Sequence, residues 1–289
     1  MRDEIRLRRS ALYMPGANAR ALDKARALDA DVVIMDLEDA VAPDAKVIAR
    51  DQVMASIAAG GYGRREIVVR VNGAGAPWAH DDIKAAASSG ADAILFPKIG
   101  APGELRAAAR ALEAAGAPDR LAIWAMAETP AGILDIVAIT GAHPRLEVIV
   151  MGTADLAKAL RISPDADRTG LVPALASCVL AARARGLDIL DGVHVDLSDA
   201  DAFRASCNQG RALGFDGKTL IHPDQIDVAN QMFGVTADQA ARAAEIIAAW
   251  EEAAEDGRGV AVVDGQMIEK LHADQARRVL ALRAAIDRS

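Results

Sequence analysis

LAIWAMAETPAGI, residues 121–133, begins as an apolar run and ends as the start of a helix. No charge occurs from Leu121 to Ala127. A strand with one wet face alternates polar and apolar residues. An unbroken apolar run suits a strand buried on both faces, as in a parallel sheet covered by helices. Thr129 is a good helix N-cap, and Pro130 suits the first helical position. The segment therefore reads as a strand feeding directly into a helix, with Glu128 at the junction. A solvated turn residue would account for a carboxylate there, and so would a ligand at the mouth of a site.

Seven more runs resemble it: SALYM (10–14), VVIMD (32–36), IVVRV (67–71), AILFP (93–97), VIVMG (148–152), LDILDG (187–192) and DGKTLI (216–221). Alanine-rich stretches with helical spacing lie between them. In ELRAAARALEAAG (104–116), Leu105, Ala108, Ala109 and Leu112 make one apolar stripe, and Gly116 fits a C-terminal cap. Eight strands alternating with helices in a chain of 289 residues predict a (β/α)8 TIM barrel. A doubly wound open sheet is the alternative, but no GxGxxG turn follows the first run. The barrel is expected over 1–234 and a C-terminal helical extension, a lid or oligomer arm, over 235–289. Within the extension, Thr236 and Gln239 form a capping box for a helix to about Asp256. Residues 257–270 read as an extended or hairpin segment and 272–286 as a last helix.

Composition narrows the function classes. Apolar residues are 52% of the chain, enough for a large core. The 33 basic and 41 acidic residues give a net charge of −8, which argues against a nucleic-acid partner held through phosphates. A small anionic substrate needs only a local cationic pocket. Cys178 and Cys207, with no CxxC, suggest neither a disulfide framework nor a zinc site, and read as cytoplasmic thiols. The first residues, MRDEIRLRRSALYMPG, lack the apolar core of a secretory signal, and no run approaches the ~20 residues needed to span a bilayer.

Barrel active sites lie at the C-terminal ends of the strands. The residues at these ends are Pro15 and Gly16; Asp36, Glu38 and Asp39; Arg70 and Asn72; Pro97 and Lys98; Glu128; Thr153 and Asp155; Asp191; and His222 and Pro223. Several carboxylates on one rim suit a hard divalent cation such as Mg²⁺, which takes oxygen ligands and keeps waters. The five histidines are scattered without HxH or HExxH spacing, which disfavours zinc. Arg70 is either a salt-bridge partner for these acids or an anchor for a carboxylate or enolate oxygen. Thr153 is a candidate cap for the helix carrying Asp155. His222 reads as a base or as a hydrogen-bonding turn residue.

In order, SALYMPGAN (10–18), DLEDAV (36–41), RVN (70–72), PK (97–98), AETPAGI (127–133), GTADLA (152–157) and GFDGKTLIHPDQI (214–226) resemble the citrate lyase β-subunit (CitE-like) family, part of the HpcH/HpaI aldolase superfamily with the malyl-CoA and citramalyl-CoA lyases. The resemblance covers about residues 9–285. It implies a (β/α)8 barrel with a C-terminal extension, a homotrimer or hexamer, Mg²⁺, and a CoA thioester of a hydroxy acid as substrate. By position, it implies Glu128 and Asp155 as metal ligands and Arg70 as the contact to the substrate carbonyl. Tyr13, Arg20 and Lys24 match contacts to the CoA-type ligand, and Asp191 lies near the substrate.

In GQMIEK (265–270) the family's lyases commonly place a catalytic aspartate that reaches a neighbouring subunit's site, and here the position is Glu269. The implied reaction is Mg²⁺-dependent retro-Claisen cleavage of malyl- or citramalyl-CoA to a 2-oxo acid and acetyl-CoA, with Glu269 handling the enolate proton. The alternatives are a citrate lyase β-subunit working on citryl-carrier protein, a malyl-CoA thioesterase and a non-catalytic CoA-binding barrel.

Overall fold

The computed structural model describes residues 5–163 and 167–288. Residues 164–166, in the 161–173 loop, lie outside that range. The chain divides into two compact units, one spanning Arg8–Met232 and the other built from residues 233–288 with 5–7.

The first unit is a closed eight-stranded parallel barrel in the order β1 to β8. It runs β1 (Ser10–Pro15), α1 (Ala19–Lys24), β2 (Val32–Asp36), α2 (Lys46–Ala59), β3 (Glu66–Arg70), α3 (Ala79–Ala87), β4 (Ala93–Phe96) and α4 (Pro102–Ala114). It continues through β5 (Ala122–Ala127), α5 (Pro130–Leu134), α6 (Ile136–Thr140), β6 (Leu146–Met151), α7 (Thr153–Leu160), α8 (Val172–Arg183), β7 (Asp188–Asp191), α9 (Ala200–Leu213), β8 (Gly217–Leu220) and α10 (Ile226–Met232). This is the TIM barrel expected from the sequence. Each apolar run is a strand within a residue or two, and β8 closes on β1 through Ser10–Lys218 and Leu12–Leu220 pairings. The open-sheet alternative is excluded by that closure.

Alternation along the strands sets what faces inward. Ala11, Val32, Ile34, Val68, Ala93, Leu95, Trp124, Met126, Val148, Val150 and Leu190 belong to one buried cluster that fills the barrel. The next residue of the same parity is Asp36 on β2, Arg70 on β3, Glu128 after β5 and Gly152 after β6. Asp191 has the opposite parity to Leu190, and so has Lys218, which pairs with it.

The N-terminal end of the barrel is closed by charge. Arg8 donates to Glu66 through Nε (2.7 Å) and Nη2 (2.8 Å), and to Asp188 through Nη1 (2.6 Å). Its guanidinium also lies 5.2 Å from the centre of the Trp124 ring. The charges of Arg8, Glu66 and Asp188 thus occupy the end of the barrel opposite Glu128.

The second unit packs α11 (Ala237–Glu255) and α12 (Lys270–Asp287) with a hairpin of β9 (Ala261–Val263) and β10 (Gln266–Ile268). Thr236 and Gln239 cap α11 reciprocally, as the sequence predicts. The hairpin turns through Asp264 (φ 50°) and Gly265 (φ 75°), the left-handed pair that a two-residue turn between twisted strands requires. Ala253, Ala261 and Ile268 form its small core with Trp250 and Ile246. Glu269 is the half-buried N-cap of α12, and its backbone N–H donates to His272 Nδ1 at 3.0 Å. Among the described residues no helix is long and apolar enough to cross a membrane.

Candidate active site

Arg70 is the centre of the mouth. Its Nε and Nη2 donate to the two oxygens of Asp36 at 2.7 and 2.6 Å, a bidentate pair that fixes the guanidinium plane. The third nitrogen, Nη1, lies 3.1 Å from Glu38 Oε2 and 3.6 Å from Asp39 Oδ2. The Tyr13 ring stacks under the guanidinium at 4.7 Å. Burial, opposed by Arg70 and reinforced by the nearby carboxylates, pushes the Tyr13 phenol above its ordinary range, so it stays protonated. Asp36 is fully buried and also accepts from the backbone N–H groups of Glu38 (2.8 Å) and Ala40 (3.0 Å), which pins the loop after β2.

Lys46, at the start of α2, ties the same loop from below. Its Nζ donates to Leu37 O (2.8 Å), Glu38 O (2.7 Å) and Asn72 Oδ1 (2.7 Å). Asn72 in turn donates to Asp82 Oδ2 at 2.6 Å. The sequence reading missed Lys46, because a lysine at a helix start carries no local signal of the loop it will hold.

Glu128 is 3% exposed and accepts from the Lys98 backbone N–H at 2.6 Å through Oε1. Burial lifts its carboxyl to about 7; the Lys98 hydrogen bond and Arg70 oppose that rise, and the charges of Glu38 and Asp155 add to it. Thr129 caps α5 by accepting from Gly132 N at 3.0 Å, as expected, so Glu128 is the last residue before the helix. Asp155 lies half-buried in the first turn of α7. The expectation that Thr153 caps this helix is corrected: Gly152 holds the cap position, Thr153 is the first helical residue, and no side chain caps α7. Gly152 packs directly against Glu128, where a side chain would collide with the Glu128 carboxylate.

Glu128 Oε2 and both Asp155 oxygens accept no hydrogen bond among the described residues. Around the mouth the carboxyl groups of Asp36, Glu38, Asp39, Glu128 and Asp155 outnumber the cations Arg70, Lys98 and Lys46. Among the described residues no group of three or more His, Cys, Asp or Glu could hold a metal by itself. Two carboxylates with uncommitted oxygens fit Mg²⁺, which completes its octahedron with water and substrate, and fit a caged zinc or calcium site poorly.

The other expected residues are placed as follows. Arg20 and Lys24 lie exposed one turn apart on α1, directly after β1 and Tyr13, with no ion pair among the described residues. Asp191 is not brought to the Arg70–Glu128 group. Its buried carboxylate takes Lys218 Nζ at 2.7 Å and Arg168 Nη1 at 2.8 and 2.9 Å, on the helix-facing side of β7. Burial alone would raise its carboxyl, but Lys218 and Arg168 outweigh that and hold it below its ordinary range. His222 accepts from Asp224 N at 3.3 Å and caps the turn before α10, which is the turn-residue reading.

Comparison with known proteins agrees with the barrel fold. The HpcH/HpaI aldolase/citrate lyase family model matches residues 9–223. The chain is similar to (3S)-malyl-CoA thioesterase of Cereibacter sphaeroides, with 49% identity over 278 residues, covering 96% of this chain and 95% of the relative. It is similar to citrate lyase subunit beta of Escherichia coli, with 34% identity covering 96% of this chain and 94% of the relative. Its fold matches the crystal structure of CitE from Mycobacterium tuberculosis in complex with magnesium, acetoacetate and coenzyme A at TM-score 0.78 and 27% identity, covering 95% of this chain and 97% of that one.

Proposed function

The chain belongs to the HpcH/HpaI aldolase/citrate lyase family, and on that premise we propose that it hydrolyses the CoA thioester of a 3-hydroxy acid of the malyl-CoA kind, with Mg²⁺ held by Glu128 and Asp155. The observation that carries the choice of hydrolysis is the 49% identity, over almost the full length of both chains, to a malyl-CoA thioesterase.

The geometry supports a division of labour. When bound, Mg²⁺ supplies a Lewis acid for the oxygens of the substrate's hydroxy-acid end. Glu128 and Asp155 are the residues that would hold it. Arg70, locked by Asp36, keeps Nη1 directed into the mouth, where it holds the thioester carbonyl oxygen and stabilises the charge that develops there as water adds. The C–S bond then breaks and the sulfur leaves as CoA. Tyr13 backs the guanidinium and stays neutral. Arg20 and Lys24 meet the phosphates of CoA at the outer edge of β1.

A second reading is carbon–carbon cleavage, favoured by the 34% identity to a citrate lyase subunit and by Glu269 standing where the resemblance puts a lyase acid. It uses the same Arg70 and carboxylates. The substrate hydroxyl loses its proton to water and becomes the carbonyl of the 2-oxo acid, the electron pair of the broken C–C bond becomes an enolate of acetyl-CoA, and Glu269 reaching from a neighbouring subunit, as the resemblance implies, protonates it.

Product analysis separates the readings. The enzyme is incubated with Mg²⁺ and each stereoisomer of malyl-, methylmalyl- and citramalyl-CoA, and products are identified by mass spectrometry. Free CoA with the intact hydroxy acid means hydrolysis, and a shorter acyl-CoA with a 2-oxo acid (from malyl-CoA, acetyl-CoA with glyoxylate) means cleavage. Activity only with a carrier protein and partner subunits would mark a citrate lyase β-subunit. Binding without turnover of any thioester would sink every catalytic reading and leave a CoA-binding barrel. The homotrimer or hexamer implied by the resemblance is checked by light scattering.

A further inference from the structure

At the mouth, Lys98 engages one carboxylate through its backbone and others through its side chain. It follows β4 with φ 57°, a left-handed conformation that side-chain-bearing residues seldom adopt. Such an outlier invites a functional reading when it sits in a site. In this conformation its N–H points to Glu128 Oε1 at 2.6 Å, while its Nζ reaches Glu38 Oε1 at 2.6 Å and Asp39 Oδ1 at 4.0 Å. One residue thus connects the acid assigned to the cation with the acids that crowd Arg70.

The charge arithmetic around Arg70 gives this connection a purpose. Two of its nitrogens are taken by Asp36, and Nη1 faces Glu38 and Asp39. If both acids rested on Nη1, the group would have nothing left for an incoming oxyanion. Lys98 shares Glu38 through its other oxygen, so the Glu38 charge is divided between two cations. Glu38 Oε2 is buried and makes no hydrogen bond of good geometry, although it lies 3.1 Å from Nη1. Its hold on Arg70 is loose.

We propose that Lys98 is a positioning residue with two separable tasks: its backbone N–H turns Glu128 so that Oε2 is presented to the cation, and its ammonium draws Glu38 off Arg70 so that Nη1 can receive the substrate oxygen. The inference rests on the reading above for the roles of Glu128 and Arg70. Lys98 itself touches neither cation nor substrate in this account.

The two tasks are tested separately. Mn²⁺ binding to the full chain, followed by electron paramagnetic resonance, reads the first without any substrate. Lys98→Gly and Lys98→Val both lack the ammonium, but only glycine tolerates the left-handed backbone. Lys98→Gly should bind Mn²⁺ within about 3-fold of wild type and Lys98→Val about 10-fold more weakly, at the spacing-sensitive level known for positioned groups. Equal affinities in the two variants, both folded by circular dichroism, would overturn the first task. No Mn²⁺ binding in wild type would sink the cation assignment itself, and this inference with it.

The second task is read by a double-mutant cycle on thioester turnover. Lys98→Met should lower kcat/KM by about 10-fold to 100-fold in wild type and by less than about 3-fold in the Glu38→Gln background, where no charge remains to be drawn away. An equal loss in both backgrounds would show that the ammonium acts on something other than Glu38 and would overturn the proposal. A wild-type rate in Lys98→Met would do the same.

Discussion

Glu128 lies directly on Gly152: a methyl group at Gly152 would overlap both the Cβ and Oε2 of Glu128. The two residues end neighbouring strands, and the missing side chain of one makes the berth for the carboxylate of the other. Gly152→Ala should therefore weaken Mn²⁺ binding by about 10-fold or more while costing only about 1–3 kcal/mol of stability, the usual range for an overpacked site. Calorimetric titration and chemical denaturation measure the two. Unchanged affinity would mean that Glu128 moves aside without loss, and that its placement is not what holds the ion.

The carboxylates themselves give the plainest test. Glu128→Gln and Asp155→Asn keep shape and remove charge. Each should abolish measurable Mg²⁺ binding and lower kcat/KM by at least about 100-fold, with melting temperature little changed. Chelator should inactivate the wild type, and added Mg²⁺ should restore it. Full activity in a metal-free Glu128→Gln protein would end the metal-dependent account.

Acid–base linkage offers an independent check on Glu128. Its carboxyl is raised from 4.5 to about 7 in the fold, so the folded state holds this proton more tightly than the unfolded chain. The stabilisation is present in full below the unfolded value and is lost as pH rises through about 7. Without metal, the melting temperature should fall from pH 5 to pH 8 by more in wild type than in Glu128→Gln. Added Mg²⁺ should reduce that difference, because the cation takes the proton's place. Identical slopes for wild type and variant would contradict the burial argument.

Asp191 calls for a different measurement. With its oxygens committed to Lys218, Arg168 and the Gly192 N–H, it is expected to matter for stability more than for substrate affinity. Lys218→Met breaks a fully buried ion pair and should cost about 3–5 kcal/mol in urea unfolding. Asp191→Asn should lose stability with KM within about 3-fold of wild type. A large rise in KM at unchanged stability would return Asp191 to the substrate.

The barrel was legible in the sequence because strands buried on both faces leave continuous apolar runs, and LAIWAMA is the clearest of them. Glu128, Asp155 and Arg70 were legible as strand-end charges, and the motif resemblance gave them roles. What could not be read was parity. LDILDG is apolar enough to be a strand, but nothing in it says whether Leu190 or Asp191 faces inward. Only the closed register decides that, and it puts Asp191 on the helix side. Long-range ties were equally hidden: Lys46 reaches Asn72 across 26 positions of sequence. The cap of α7 was misassigned to Thr153 because a threonine at the head of a helical run reads as a cap, whereas here it is already the first helical residue.

The strand wall also separates two electrical compartments. Arg70, Asp36, Glu38, Lys98 and Glu128 lie at the mouth end of the lumen, while Asp191, Lys218 and Arg168 lie behind the strands against the helices. Substitutions on opposite sides share no partner, so their free energies should combine additively, whereas changes within either group should not. A variant library can therefore be factored: the lumen can be searched for new acyl groups on a scaffold whose outer ion network is strengthened separately, with the gains from each search transferable to the other.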